Sequence, residues 1–316
     1  MRRAGNASLL FALYLLQPGC AGAPKPGGAP KPALARAGSR VEPAGADLPR
    51  YVRDVGFDTP ESVLYDPETD VYLVSNVLGS PLDADDRAFI SRVRPDGSLE
   101  SLRWIDADDP AVQLDAPKGM ALAGDVLYVA DIASVRKFER RTGQPLGAID
   151  VPGATFINDL CADDAGNIYV SDSGIRSGFT PSGGDAIYKL SASGQLSVLA
   201  KSETLGRPNG LALQGDELWV ATFGSGELLR LSASGERSLA ERPPKGSLDG
   251  IVVFRERVFV SSWEGSVVYE RTDRGFVERV RGVAAPSDMG FDAKRQRLLI
   301  PLFYEDALLI QPLASD

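Results

Sequence analysis

Six short segments of this chain each set a polar residue at the head of an apolar run. They read Pro60-Glu61-Ser62-Val63, Pro117-Lys118-Gly119-Met120, Ile157-Asn158-Asp159-Leu160, Pro208-Asn209-Gly210-Leu211, Leu248-Asp249-Gly250-Ile251 and Pro286-Ser287-Asp288-Met289. In register, the polar residues are Glu61, Lys118, Asn158, Asn209, Asp249 and Ser287. Two carboxylates and two amide oxygens brought to one spot are hard donors. They suit Ca²⁺, which takes roughly six to eight oxygens and tolerates irregular geometry; waters would complete the shell and leave positions for substrate. Zinc is a poor fit, because the chain has no histidine and its two cysteines, Cys20 and Cys161, are not paired in sequence. Two other readings stand beside the cation. Asn209-Gly210 and Asp249-Gly250 are strong turn dipeptides, although Glu61-Ser62 and Asn158-Asp159 in the same register are not. A polar channel filled only with water would also use these residues.

The elements that must position this set repeat. In residues 206–231 an Asn-Gly pair leads into the short strand Leu211-Ala212-Leu213, then a turn, then Leu218-Trp219-Val220-Ala221, a Gly-Ser-Gly turn and a third strand, Leu228 to Leu231. Short apolar runs bounded by Gly, Ser and Asp read as strands. The second strands recur as Tyr72-Leu73-Val74, Tyr128-Val129-Ala130, Tyr169-Val170-Ser171, Trp219-Val220-Ala221, Phe259-Val260-Ser261 and Leu299-Ile300-Pro301. A period of about forty residues with four strands per unit is the signature of a propeller blade. The chain is therefore read as all-β, a six-bladed β-propeller whose innermost strands line a central channel and bring the six polar residues together. The last unit has room for three strands, so the segment at 51–58 is expected to supply its outer strand and close the ring.

Three further features bear on the channel mouth. Phe223, Trp263, Phe303 and Tyr304 follow second strands and should rim the face where the inner strands begin. Packing is one use for them, and a wall for a small organic ligand is the other. The long connections 77–87 and 173–185 lie on that face as candidate lids. Lys118 either binds an anionic group of a substrate or offsets Glu61 and Asp249, and Asp288, one place beyond Ser287, is a second acid or a partner to the first.

The N-terminus has a different character. Arg2 and Arg3 precede an apolar run at 7–16 and then Gly19-Cys20-Ala21, which reads as a secretory leader over residues 1–20. Cys20 there resembles the acylated cysteine of a bacterial lipoprotein. Residues 21–47, mostly Ala, Gly and Pro, read as a linker with no core-forming capacity, and 48–316 as the propeller. The expected location is outside the cytoplasm, in the periplasm, with the membrane touched only through a lipid on Cys20. The net charge is -9, and the first 47 residues hold six basic and two acidic residues, so the remainder carries -9 - 4 = -13. That balance excludes a nucleic-acid footprint. The expected partner is a small-molecule substrate of a monomer.

The ordered openings PES, IND, PNG and LDG are similar to those of the senescence marker protein/gluconolactonase/luciferin-regenerating enzyme family, related to diisopropylfluorophosphatase and paraoxonase. The resemblance spans about residues 51–313. It implies a divalent cation, usually calcium, held by Glu61, Asn158, Asn209 and Asp249, and hydrolysis of lactones, esters or phosphotriesters. It also makes Asp249 the catalytic candidate, which would deprotonate a water or attack the substrate itself; Asp288 joins it as a candidate from its own place one residue beyond the ring position of the last blade. One departure matters. Paraoxonase-like members place histidines near the metal, and this chain has none, which excludes a histidine-assisted route. A second class of function stays open: a non-catalytic exported propeller with a structural cation that binds a small ligand or a protein.

Overall fold

In a computed structural model of the chain, residues 48–313 are described; the leader, the linker and Cys20 lie outside them. The described chain forms six four-stranded antiparallel sheets, plus a two-stranded hairpin of Ile175–Arg176 with Thr180–Pro181. The innermost strands of the first five sheets are Pro60–Asp66, Pro117–Ala123, Ile157–Ala162, Pro208–Gln214 and Leu248–Phe254. In the sixth blade the inner strand is short, Gly290–Asp292, followed by Arg297–Leu302 and Ala307–Pro312. The fourth strand of that blade is Arg50–Val52, with Tyr51 opposite Leu309. The ring is thus closed by the N-terminal strand, as the three-strand count of the last repeat predicts. The strand is shorter than the segment 51–58, because Asp54 takes a left-handed backbone (φ 59°) and turns the chain inward, and Phe57 buries beyond it.

The core is divided among the blade interfaces, and strand alternation does the dividing. Along Val71–Asn76, Leu73 packs with Met120, Leu127 and Val129 of the second blade, while Tyr72 and Val74 pack with Leu299 and Leu308 of the sixth. Side chains of a strand point alternately to its two faces, so each second strand feeds both neighbours. The same pattern builds apolar clusters between blades two and three, three and four, four and five, and five and six. Each buried Leu, Val or Phe stabilises by about 1.5–3 kcal/mol. That outweighs the exposed ion pairs of the rim, each worth under about 1 kcal/mol. Closure of the first blade on the last has polar help as well: Arg295 pairs with Asp70 at 2.7 Å, and the Tyr72 hydroxyl donates to Asp292 at 2.6 Å.

Candidate functional site

Every inner strand of the first five blades is bulged at its opening. The pairing with the second strand jumps between Pro60 and Ser62, Pro117 and Met120, Ile157 and Leu160, Pro208 and Leu211, and Leu248 and Ile251. A bulge frees one or two residues from the ladder and re-aims their side chains. Here the freed residues are the predicted ones. Asn209-Gly210 and Asp249-Gly250 therefore lie inside strands and do not form hairpin turns. Serines of alternate second strands satisfy the backbone N–H groups that the bulges release. The N–H of Ser62 donates to Ser75 Oγ at 2.9 Å, that of Asp159 to Ser171 Oγ at 2.9 Å, and that of Gly250 to Ser261 Oγ at 2.8 Å. Two of these hydroxyls then donate to the next blade, Ser171 to the Asn209 carbonyl at 2.7 Å and Ser261 to the Ser287 carbonyl at 3.1 Å.

Glu61, Lys118, Asn158, Asn209, Asp249 and Ser287 are all buried. Four of them carry a buried oxygen with no hydrogen-bond partner: Glu61 Oε2, Asn158 Oδ1, Asn209 Oδ1 and Asp249 Oδ1. Leaving a buried acceptor unpaired costs about 1–3 kcal/mol, so these four oxygens are a cost that the fold alone does not offset. Among the described residues, no cluster of three or more Asp, Glu, Cys and His side chains is placed to hold a metal, so a cation here would lean on the amide oxygens as much as on the carboxylates. Lys118 and Ser287 stand apart from the four. The Lys118 ammonium is fully buried and donates to the carbonyls of Ala116 at 2.7 Å and Pro81 at 3.4 Å, over the ring of Phe156 at 4.7 Å. Ser287 Oγ donates to the Ala285 carbonyl at 3.3 Å.

One residue further along the strands lies a second polar layer. Ser62 Oγ donates to Asp288 Oδ2 at 2.5 Å. Asp159, which the sequence analysis left without a role, accepts the N–H of Leu211 at 2.6 Å and of Leu160 at 2.6 Å, tying the Asn158 strand to the Asn209 strand. Asp159 lies beside Asp288, and burial pushes the Asp288 carboxyl up to about 7. Burial likewise holds Glu61, Asp159 and Asp249 well above the usual carboxylate range. Neighbouring carboxylates add to it, Asp249 and Asp288 for Glu61, and Asp288 and Asp159 for Asp249. The polar groups of Asn209 and Trp263 beside Asp249 pull it the other way. In blades two, four and five this second position is glycine. A Cβ on Gly119 would lie 2.1 Å from Asp159 Oδ1, one on Gly210 2.3 Å from the Asp249 carbonyl, and one on Gly250 2.4 Å from the Met289 nitrogen. The alternation of a polar residue or glycine after each opening was the signal that could have found Asp159.

Phe223, Trp263, Phe303 and Tyr304 come together as one aromatic group over blades four to six. Trp263 stands 5.5 Å from Phe223, 5.2 Å from Phe303 and 5.5 Å from Tyr304, mostly edge to face. Over blades one to three the two long connections, with the turns at 132–133 and 154–155, line an open hollow of about 380 Å³. None of the six ring residues lines it.

No protein family matches the chain by sequence, and no curated protein does. Solved structures do resemble it. A Xanthomonas campestris gluconolactonase superimposes with a TM-score of 0.64 at 20% identity, over 84% of this chain and 88% of that one. A protein described as a putative gluconolactonase gives 0.63 at 22%, over 86% and 96%. A Staphylococcus aureus virginiamycin B lyase, rendered catalytically inactive by replacing one histidine with alanine, gives 0.56 at 12%, over 84% and 99%. At such identities the likeness is one of architecture: this chain shares the six-bladed β-propeller found in gluconolactonases.

Proposed function

We propose that the protein is a divalent-cation-dependent hydrolase of lactones or related esters, with the cation, calcium by its donor set, held by Glu61, Asn158, Asn209 and Asp249. The observation that carries the reading is the set of four buried, partnerless oxygens on those four side chains. Electrostatics supports it, since Glu61, Asp159, Asp249 and Asp288 crowd the channel with one buried lysine for company, and buried carboxylates are costly unless compensated. A bound cation would polarise the substrate carbonyl and stabilise the charge that develops on its oxygen.

The chain's own residues supply the rest. Asn209 and Trp263 flank Asp249 and favour its ionised form. Asp249 then takes the proton of an attacking water or makes the attack itself. Asp288, one residue beyond the ring and hydrogen-bonded by Ser62, serves as the partner acid. The aromatic group of Phe223, Trp263, Phe303 and Tyr304 excludes water from one side of the mouth and offers faces to the organic part of a substrate. A lyase chemistry resting on histidine is not available to a chain with none. Secretion through the leader and tethering through Cys20 belong to the same proposal, which places the activity outside the cytoplasm.

The deciding experiment follows hydrolysis of a panel of lactones and aryl esters with Ca²⁺ and with chelator, for the wild type and Asp249→Asn. Turnover that needs the cation and vanishes in a folded, cation-binding variant is the expected result. A protein stabilised by Ca²⁺ yet inert toward the whole panel would move the reading to a structural cation in a binding propeller.

A further inference from the structure

We propose that Lys118 ties the tip of the connection 77–87 to the ring, so that a cation in the ring and the hold on that tip compete for one buried charge. The competition rests on the cation reading of the ring; the tether does not. Among the described residues, Lys118 is the one buried lysine or arginine. Its ammonium rests on neutral groups: the Ala116 carbonyl at 2.7 Å, the Pro81 carbonyl at 3.4 Å and the ring of Phe156. A buried charge held by dipoles without an ion pair is costly. Burial works against the charge on Lys118, and the carboxylates of Asp131, Glu61 and Asp115 work for it. The influence is mutual. Burial and the carboxylates of Asp249 and Asp288 push Glu61 up, and the Lys118 ammonium draws it back. Lys118 therefore supplies part of the positive charge that the Glu61 side of the ring lacks. A divalent cation at Glu61 would take over that part and repel the ammonium, because charges in a poorly hydrated interior are weakly screened.

The loop end of the tether has few other holds. The connection is fastened at both ends. The N–H groups of Val77 and Leu78 donate to the carbonyls of Thr59 and Asp58 at 3.1 and 3.3 Å. Asp86 is bonded twice to the segment entering blade two: its N–H donates to Asp115 Oδ1 at 2.9 Å, and its Oδ1 accepts the Leu114 N–H at 2.8 Å. Between these anchors the other polar contacts stay inside the loop. The Asp83 N–H donates to the Ser80 carbonyl at 3.1 Å, the Leu82 N–H to Ser80 Oγ at 3.4 Å, and Asp85 pairs with Arg87 at 3.8 Å. Among the described residues, the Lys118–Pro81 bond is the hydrogen bond that joins 79–85 to the rest of the propeller. Gly79, at φ 121° with open space where a Cβ would stand, gives the stretch a hinge. A half-exposed or exposed segment with one outward bond lies at the low end of local stability. Weakening that bond should therefore be visible in the loop.

The test uses the full chain as wild type and as Lys118→Met, which keeps the bulk and drops the charge. Lys118→Gln is the second neutral replacement, in case the first does not fold. Calorimetry measures Ca²⁺ affinity, and amide hydrogen exchange follows residues 79–85 in chelator and in saturating Ca²⁺. In the wild type, Ca²⁺ should speed exchange of 79–85 at least about threefold, the scale of one lost hydrogen bond. In the variants exchange should be fast in both conditions, with no response to Ca²⁺. The variants should also bind Ca²⁺ at least about tenfold tighter, because a like charge has been removed from beside the site and the coupling is reciprocal. Wild-type exchange that ignores Ca²⁺, or neutral variants that bind Ca²⁺ no more tightly, would overturn the competition and leave the cation reading standing. A wild type that binds no Ca²⁺ sinks both.

Discussion

Replacing Asn158 by leucine should change the sign of its effect on stability with the cation. The side chain is buried, its Oδ1 has no partner, and its Nδ2 makes one long bond to Ser173 Oγ at 3.4 Å. In chelator, an apolar side chain of similar shape removes a desolvation penalty of about 1–3 kcal/mol and gives up a bond worth about 0.5–1.5 kcal/mol. The variant should gain about 1 kcal/mol, a rise of about 2–4 °C in melting temperature for a domain of this size. With Ca²⁺ at a hundredfold excess over its dissociation constant, the wild type gains about 2.7 kcal/mol, or about 5–10 °C, and the variant, lacking one of the four donors, loses most of that gain. The assay is thermal unfolding followed by circular dichroism in EDTA and in Ca²⁺. The order of the two proteins should invert between the two conditions. A variant less stable than the wild type by the same margin in both would refute the reasoning, because the oxygen would then have a use that no cation supplies.

Two further outcomes follow from the second layer. With its carboxyl raised from the ordinary 3.8 to about 7, Asp288 binds its proton more tightly in the folded state. Its contribution to stability is therefore complete below about pH 4 and is lost as pH rises toward 7. In chelator the wild type should lose up to about 4 kcal/mol across that window. Asp288→Asn, which can still accept from Ser62, should flatten the loss, and parallel pH profiles in urea unfolding would contradict the assignment. Gly119→Ala should destabilise by about 1–3 kcal/mol, since its Cβ would meet Asp159 at Oδ1 and at the backbone Cα, 2.1 and 2.5 Å away. An unchanged urea midpoint would mean the strands have room that this packing denies.

The repeat carried most of the architecture in the sequence itself. A six-fold recurrence of polar opening, apolar run and turn leaves few arrangements that bury every apolar face, and blade count, closure by the N-terminal strand and the register of Glu61, Asn158, Asn209 and Asp249 all follow from it. Chain order could not say what the openings do once assembled. Asn209-Gly210 looks like a turn dipeptide until the bulge and the neighbouring strand, 2.3 Å from a would-be Cβ, require glycine there for close approach. Lys118 reads in sequence as an anion contact or as a counter-charge to Glu61 and Asp249; only the fold shows its ammonium on two backbone carbonyls, one contributed by a loop 37 residues away. Asp159 gains its role only because Leu211, 52 residues on, offers its N–H from the neighbouring blade. The hollow over blades one to three was only half legible: the lengths of the connections 77–87 and 173–185 mark two of its walls, while the turns at 132–133 and 154–155 carry no such signal. Local pattern sets which residues face the axis, because strand alternation is a short-range rule; which of them touch is decided by the closure of the ring.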